Sequence, residues 1–268
     1  AAQADGAGLR YAFRCPAALA PSACLRMAVD EETAAWLRQA PAWRSGRLRG
    51  LAERLLAGLG VAKYTRGALF NGPRLFLLSE AQWGRLLDGL PPPGACLDLG
   101  AGLGWVTARA AVPHCGVEAV TGVEADAALA WRLAANTGVA ALAEPRVSRA
   151  ALQAAGRPAS YGRVFLLNLL DRHPAPAALL AEAAALLAPG GRLVVSLPLP
   201  WAPLGQDAAD PLHVPGADWE AAAAGAVEAF ARLGWRTDRL ARAPYLCSGS
   251  AAAPLYVLDA AVFLLAPA

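Results

Sequence analysis

A glycine-rich turn preceded by a carboxylate is the first feature of the sequence that could do chemistry. It runs from Leu97 to Gly104 and contains Asp98, followed by three glycines at alternate positions. Glycine adopts backbone angles that other residues avoid, and it lets a ligand approach the main chain closely. Ligands of open α/β sheets bind beyond the carboxyl ends of the strands. If a strand ends at Leu99, we expect a ligand at this turn.

The identity of that ligand depends on a second carboxylate and on the residue after the glycines. Glu124 ends the next predicted strand, where it can accept hydrogen bonds from both hydroxyls of a ribose. The dinucleotide fingerprint requires a further glycine where Trp105 stands. S-adenosylmethionine has no phosphate to bind, and its ammonium suits Asp98, so we favour it over a dinucleotide. The residues expected to bind the cofactor are Asp98, Gly100, Ala101, Gly102, Gly104, Glu124 and Asn168.

A second polar group follows a later predicted strand. Asn168 stands at the carboxyl end of that strand, and Asp171 comes three residues later. This edge of the sheet would face the transferable methyl group, and both side chains can lie on one side of a turn. Asn and Asp are also common as turn caps. The spacing alone leaves the two interpretations equally open.

The elements that must position these residues alternate between strand and helix from Ala95 onwards, which is typical of a doubly wound α/β sheet. The last two predicted strands have no helix between them, and such a pair can form an antiparallel edge. The predicted strands are Ala95–Leu99, Ala119–Val123, Val164–Leu167, Arg192–Leu197, one within Arg236–Leu240 and Tyr256–Leu265. The predicted helices are one from Trp105, then Asp126–Asn136, Ala177–Leu187 and Trp219–Leu233.

The residues before this domain have a different pattern. We predict that residues 1–75 form an N-terminal helical extension and that residues 76–268 form the α/β domain. In the extension, leucines recur at helical spacing with Arg49, Glu53 and Arg54 between them. The mixed charges of the polar face favour a helix packed on the main domain over a helix on a membrane surface. The leucines are Leu48, Leu51, Leu55, Leu56 and Leu59.

Composition excludes several classes of protein. The chain has 268 residues, of which 56% are hydrophobic and 17% charged, so it is not globally disordered. A net charge of +3 without a strong cluster argues against a nucleic-acid partner. No apolar run is long enough to span a membrane. No metal site is expected, because the His and Cys residues lack ligand spacing.

The five cysteines include no Cys-x-x-Cys pair, so neither a disulfide scaffold nor a zinc ribbon is expected. Cys15 and Cys24 could form a bridge in an oxidising compartment. The other three cysteines lie in or beside apolar runs, where we expect buried thiols. They are Cys96, Cys115 and Cys247.

Several strings of the sequence match one family. From Leu75 to the C-terminus the chain resembles the DREV family, also called the methyltransferase-like protein 9 family. The Asn-Leu-Leu-Asp-Arg and Pro-Tyr-Leu-Cys strings are specific, whereas the glycine turn is generic. The matching segments are Leu97–Gly102, Asn168–Arg172, Pro244–Cys247, Tyr256–Phe263 and, less closely, Leu75–Gln82.

This resemblance implies a class I S-adenosylmethionine-dependent methyltransferase with a Rossmann-like, doubly wound sheet and an antiparallel last strand. It implies a protein-L-histidine N-pros-methyltransferase, which produces 1-methylhistidine by transfer to the Nδ1 (N1, or π) nitrogen in His-x-His motifs. It also implies that Asn168, Asp171 and Tyr245 form the catalytic substrate pocket. The cofactor S-adenosylmethionine would become S-adenosylhomocysteine when its methyl group is transferred.

Two other functions remain open. One is a methyltransferase for a small-molecule amine or another protein side chain, and the other is an inactive scaffold that binds S-adenosylmethionine. The expected partners are proteins or peptides with His-x-His motifs, and the chain is expected to be monomeric. We expect an intracellular location. The family resemblance points to the endoplasmic reticulum or the mitochondrion, with the cytoplasm also open.

Overall fold

The strands of the chain form a single mixed sheet. The structure is a computed structural model that describes residues 8–43, 46–249, 253 and 255–268. Within these residues the sheet has nine strands: eight follow the order β1-β8-β9-β7-β6-β3-β4-β5, and the ninth, β2, pairs with β8. The strands are β1 (Cys24–Leu25), β2 (Leu75–Phe76), β3 (Cys96–Leu99), β4 (Val120–Glu124), β5 (Ala140–Ala143), β6 (Tyr161–Leu167), β7 (Leu187–Pro198), β8 (Trp235–Ser248) and β9 (Leu255–Pro267).

Ten α-helices occur in the described part of the chain. Ser79 and Gln82 form a capping box at the start of α4, and Asp126 caps α7, the helix predicted from Asp126. The helices are α1 (Glu31–Gln39), α2 (Arg47–Gly58), α3 (Lys63–Leu69), α4 (Glu80–Leu87), α5 (Thr107–Ala110), α6 (Val112–Cys115), α7 (Ala127–Thr137), α8 (Arg149–Ala154), α9 (Pro176–Leu186) and α10 (Trp219–Arg232).

The sheet has the class I methyltransferase architecture that was expected. Strands β3, β4, β5, β6 and β7 are parallel, and the strand order reverses between β3 and β6. The last strand, β9, runs antiparallel to both of its neighbours, β7 and β8. The carboxyl ends of β3, β4 and β6 therefore meet at one edge beside the reversal, which is where such sheets bind ligands.

Both faces of the sheet are covered. Along β6, Val164 and Leu166 enter the core on one face, while Phe165 enters the core on the other. This alternation follows from the period of two residues in a strand. Helices α9 and α10 cover the first face, and α4 and α7 contribute Trp83 and Leu133 to the second. The central strands are therefore fixed on both sides, which holds their carboxyl ends in place.

The N-terminal extension packs into the same cores. Tyr11 and Met27 belong to one core and Phe13 to the other. The extension also contributes a strand, because β1 pairs with β8, and the proposed boundary at residue 75 falls within β2. We keep the division at residue 75 as a proposal. Residues 1–7 of the extension lie outside the described residues.

Helix α2 differs from expectation. None of its residues is buried, and Leu48, Leu51 and Leu55 are exposed. We predicted a helix packed on the main domain, and the helical spacing would place these leucines on its packed face, which they are not. The side of α2 that is partly buried carries Arg49, Ala52, Glu53 and Leu56 instead.

The cysteines also differ from expectation in part. Cys15 and Cys24 form a disulfide, with Cα atoms 5.7 Å apart. Cys96 and Cys115 form a second one, with Cα atoms 6.5 Å apart. The expectation that these two residues carry free buried thiols is wrong, because the fold places the start of β3 beside α6. Cys247 is free.

Three element predictions need correction. The helix expected from Trp105 begins at Thr107 and is divided into α5 and α6. Strand β8 continues well past Leu240, because its whole length pairs with β9. Strand β5 and helix α8, which lie between α7 and β6, were not predicted. Over the described ranges, no helix combines the length and the hydropathy that crossing a membrane requires.

Candidate functional site

The glycine turn lies directly after β3 and is hydrogen-bonded to β4. Gly100, Gly102 and Gly104 have φ angles of +69°, +61° and +80°, a region that glycine adopts readily. The backbone N–H groups of Gly100 and Ala101 both donate to the carbonyl oxygen of Val123, at 2.9 and 3.2 Å. The turn therefore has a fixed shape at the carboxyl edge of the sheet.

The three glycines have different surroundings. A Cβ atom at Gly100 would lie 2.8 Å from Leu169, and one at Gly104 would lie 2.4 Å from Thr137 of α7. These two positions require glycine for close packing. A Cβ atom at Gly102 would have only Glu124 Oε1 near it, at 3.9 Å. The open side of the turn is therefore at Gly102, and a ligand can approach the backbone there.

Glu124 ends β4 and reaches back to this open side. Its Oε1 accepts a hydrogen bond from the Gly102 N–H at 2.5 Å. Burial raises the pKa of Glu124, and the hydrogen bonds from the backbone of Gly102 and Ala125 oppose that rise. The structure thus brings Glu124 and the glycine turn together, as a ribose-binding carboxylate requires.

Asp98 is a buried carboxylate below the turn. Its Oδ2 accepts a hydrogen bond from the Thr107 hydroxyl at 2.5 Å, but its Oδ1 has no partner among the described residues. Burial raises the pKa of Asp98 to about 7; the Thr107 hydrogen bond lowers it, and the charge of Glu124 raises it further. A buried carboxylate with a vacant oxygen can bind a cation, which is the role predicted for Asp98.

Asn168 is held in a strained conformation by β7. Its φ angle is +52°, which is uncommon outside glycine. Its backbone N–H donates to the Ser196 hydroxyl, and that hydroxyl donates to Asn168 Oδ1, both at 2.9 Å. The Nδ2 atom is buried and has no partner within the described chain. The pair with Ser196 therefore fixes the amide and leaves its donor group for a ligand.

Asp171 lies on a 3-10 turn that spans Leu170–Arg172. Its buried Oδ1 has no hydrogen-bond partner in the part of the chain described, and its Oδ2 accepts from Arg172 Nε at 3.4 Å. Burial raises the pKa of Asp171, and the charge of Arg172 lowers it. A turn-capping aspartate would direct an oxygen to a following backbone N–H, whereas this Oδ1 is vacant. The geometry favours a ligand-binding side chain over a turn cap.

Tyr245 is the third residue of this group, and it comes from β8, which β9 and β7 separate from β6 in the sheet. It lies on β8, is buried, and has its pKa raised by burial. Its hydroxyl interacts with the Asn168 side chain and with the charges of Arg172 and Asp171. The structure therefore brings Asn168, Asp171 and Tyr245 together, although Tyr245 is far from the other two in sequence.

Sequence reasoning missed two residues that support this site. Ser196, which fixes Asn168, is a single hydroxyl within the apolar run of β7. A polar residue in such a run is the signal that could have identified it. Thr107, whose hydroxyl donates to Asp98, has no feature in the sequence that would distinguish it from its neighbours. No group of three metal-ligating side chains occurs among the described residues.

A family model matches nearly the whole chain. The model of the DREV methyltransferase matches residues 19–267.

Solved structures of low sequence identity are also similar. The N-methyltransferase NodS from Bradyrhizobium japonicum, in complex with S-adenosyl-L-homocysteine, is 16% identical; the match covers 70% of this chain and 85% of that chain, with a TM-score of 0.44. A SAM-dependent methyltransferase from Geobacter sulfurreducens, in complex with S-adenosyl-L-homocysteine, is 14% identical; the match covers 70% of this chain and 90% of that chain, with a TM-score of 0.44.

Proposed function

The chain belongs to the DREV methyltransferase family, and from this we propose that it methylates the Nδ1 nitrogen of histidine in His-x-His motifs of proteins. It is an S-adenosylmethionine-dependent methyltransferase, and S-adenosylhomocysteine is the product of its cofactor. The proposal concerns the acceptor, for which the support comes from the Asn168, Asp171 and Tyr245 group and from the matched strings.

The residues at the carboxyl edge fit this cofactor. Asp98 has a vacant, buried oxygen that would accept from the methionine ammonium, and Glu124, beside the Gly102 N–H, would accept from the ribose hydroxyls. The open side of Gly102 admits a ligand to the backbone between them. Gly100, Ala101 and Gly104 shape the turn. S-adenosylmethionine supplies a methyl group on a positively charged sulfur, which is an electrophile for an uncharged nitrogen.

Glu124→Ala should weaken the binding of S-adenosylhomocysteine by about 1.5–3 kcal/mol, because the ribose hydroxyls lose a charged acceptor. Titration calorimetry measures this change directly. The matched control is Glu118→Ala, which removes an exposed carboxylate just before the opposite end of the same strand. We expect the control to bind like the wild type. Equal affinities for Glu124→Ala and the wild type would show that Glu124 does not hold the ribose.

The acceptor must present a lone pair at the attacked nitrogen. Neutral imidazole has one N–H and one lone pair, on different nitrogens. If Asp171 Oδ1 accepts a hydrogen bond from Nε2–H, the lone pair is fixed on Nδ1. As the Nδ1–methyl bond forms, the ring becomes a cation, and the nearby carboxylate stabilises that charge. The extra proton then leaves from Nε2, towards Asp171 or water.

Asn168 and Tyr245 position the acceptor. The buried Nδ2 of Asn168 is a free donor beside the Tyr245 hydroxyl, so the two can hold the peptide next to the histidine or the ring itself. Orientation is the main contribution that a protein makes to such a transfer. The observation that carries the proposal is the vacant, buried Oδ1 of Asp171. It lies in the same group as the vacant Asn168 donor.

The test is methylation of a synthetic His-x-His peptide, with x a small residue, by the full chain with labelled cofactor. We expect label in the His-x-His peptide, at Nδ1 by mass spectrometry of the hydrolysed product, and none in the Ala-x-Ala control. Transfer only to small amines or to another side chain would replace the proposal with the broader methyltransferase function. Cofactor binding without transfer to any acceptor would indicate a scaffold.

A further inference from the structure

We propose that helix α2 docks the protein on an anionic lipid surface through a ridge of exposed leucines. The leucine ridge consists of Leu48, Leu51, Leu55 and Leu59, which are 85%, 51%, 62% and 79% exposed. At 3.6 residues per turn Leu48, Leu51 and Leu55 lie on one side of α2, and Leu59, the residue directly after the helix, follows them in the same spacing. A contiguous apolar patch of this kind marks an interaction surface, unlike single exposed apolar residues.

The orientation of the ridge is fixed by contacts on the opposite face of α2. Arg49 donates to Glu53 at 2.7 Å and to the carbonyl oxygen of Phe70 at 3.3 Å, and it stacks on the Phe70 ring. Gly50 and Ala57 line a groove of about 430 Å³, which Ser248 of β8 also lines. The contacts of Arg49 therefore hold this side of the helix against the protein, and the four leucines of the ridge face outwards.

Charge indicates which surface the leucine ridge fits. Residues 46–70 contain five cationic side chains and one carboxylate, Glu53, whereas the rest of the chain has 19 cationic and 20 acidic residues out of totals of 24 and 21. The net positive charge of the protein is therefore concentrated in the segment that contains α2 and α3. At helical spacing, Arg47 and Arg54 follow one edge of the ridge, whereas Arg49 is paired with Glu53 on the side of the helix that faces the protein. The cationic side chains are Arg47, Arg49, Arg54, Lys63 and Arg66.

This arrangement is that of an amphipathic helix lying in a lipid interface. Leucines enter the boundary of the acyl chains while Arg47 and Arg54 at one edge contact the headgroups, and anionic lipids add an electrostatic attraction. A second copy of the chain fits the leucine ridge less well than an anionic lipid surface does. A two-fold contact through the ridge would bring Arg47 and Arg54 of both copies into the same interface, and like charges repel.

The experiment is flotation of the full chain with vesicles of phosphatidylcholine alone or with added phosphatidylserine. We expect binding to the vesicles that contain phosphatidylserine, weaker binding to the neutral vesicles, and a loss of binding at high salt. Leu55→Gln should weaken the binding about tenfold, because a leucine no longer enters the interface. Arg54→Glu should weaken binding to the anionic vesicles by at least about fivefold, the effect expected for one basic residue near such a surface.

The matched control is Leu204→Gln, since Leu204 is 70% exposed but lies on a loop between β7 and α10. It should bind vesicles like the wild type. Titration with S-adenosylhomocysteine checks that each variant is folded. The proposal is wrong if the wild type binds no vesicles, or if Leu55→Gln and Leu204→Gln bind equally well. It is also wrong if the ridge instead mediates a dimer in sedimentation without lipid, or binds an acidic helical peptide but not vesicles.

Discussion

Asp171→Asn should lower the single-turnover rate of methyl transfer by roughly 10²-fold or more while the affinity for S-adenosylhomocysteine stays close to that of the wild type. The asparagine oxygen can still accept a hydrogen bond from Nε2–H, so the orientation of the ring can persist. The charge that stabilises the developing imidazolium is lost, and removal of one preorganised electrostatic partner has an effect of this size. Asp171→Ala should be at least as slow, because it also loses the acceptor.

The alternative to a catalytic Asp171 is a structural turn cap, and a second aspartate provides the control. Asp218 caps α10, where its side chain accepts from the Ala221 N–H at 2.8 Å. Asn caps helices about as well as Asp, so Asp218→Asn should keep both the rate and the melting temperature. If Asp171→Asn behaves in the same way, with wild-type activity and stability, Asp171 has no catalytic role. Asn168 and Tyr245 would then position the histidine alone.

Asp98→Asn should weaken the binding of S-adenosylhomocysteine roughly 10-fold to 100-fold above pH 7, because the ammonium loses a charged acceptor. In the wild type, the affinity should rise as pH increases through about 7, the pKa of Asp98, since only the ionised carboxylate pairs with the ammonium. The variant has no carboxylate at this position, so this part of the pH dependence should disappear. Calorimetric titrations at several pH values measure both effects.

The same substitution should make the unliganded protein more stable at neutral pH. The folded state holds the Asp98 proton up to a pKa of about 7, whereas the unfolded state releases it near the ordinary aspartate pKa of 3.8. The folded state therefore binds more protons between these values, so the free energy of unfolding decreases as pH rises through that window. Asparagine does not titrate, and it can still accept from the Thr107 hydroxyl.

The control for the stability effect is Asp88→Asn, at an exposed aspartate just after α4. Thermal unfolding between pH 4 and pH 8 should show Asp88→Asn following the wild type. The advantage of Asp98→Asn should grow with pH and then level off above about 7. If Asp98→Asn is less stable than the wild type throughout this range, the ionised Asp98 carboxylate does not destabilise the unliganded fold, and the prediction is wrong.

The sequence could predict the elements whose signals are local. The strand before the glycine turn, the strand that ends at Glu124 and the strand before Asn168 all appear in the structure, as does α10 from Trp219. These segments are continuous apolar runs or carry a clear cap, so their own residues specify them. We could predict that Asp98 and Glu124 lie close together because the carboxyl ends of parallel strands meet at one edge of the sheet.

Features that depend on distant contacts could not be predicted from local pattern. The position of Tyr245 beside Asn168 depends on the full length of β8, which forms only because β9 pairs with it. The pairing of Cys96 with Cys115 depends on how α6 packs against the start of β3. The outward leucines of α2 depend on the contacts of its other face, which periodicity alone cannot identify.

The outer edge of β8 is covered by two short strands. This strand has 14 residues, and long unpaired edges can recruit a strand from another molecule and lead to aggregation. Strand β1 pairs at Leu240 and Ala241, and β2 pairs at Leu246 and Cys247, on either side of Tyr245. Each strand is only two residues long, so it offers little edge of its own to a further strand. Strands β1 and β2 thus protect the sheet against edge-to-edge association on either side of Tyr245.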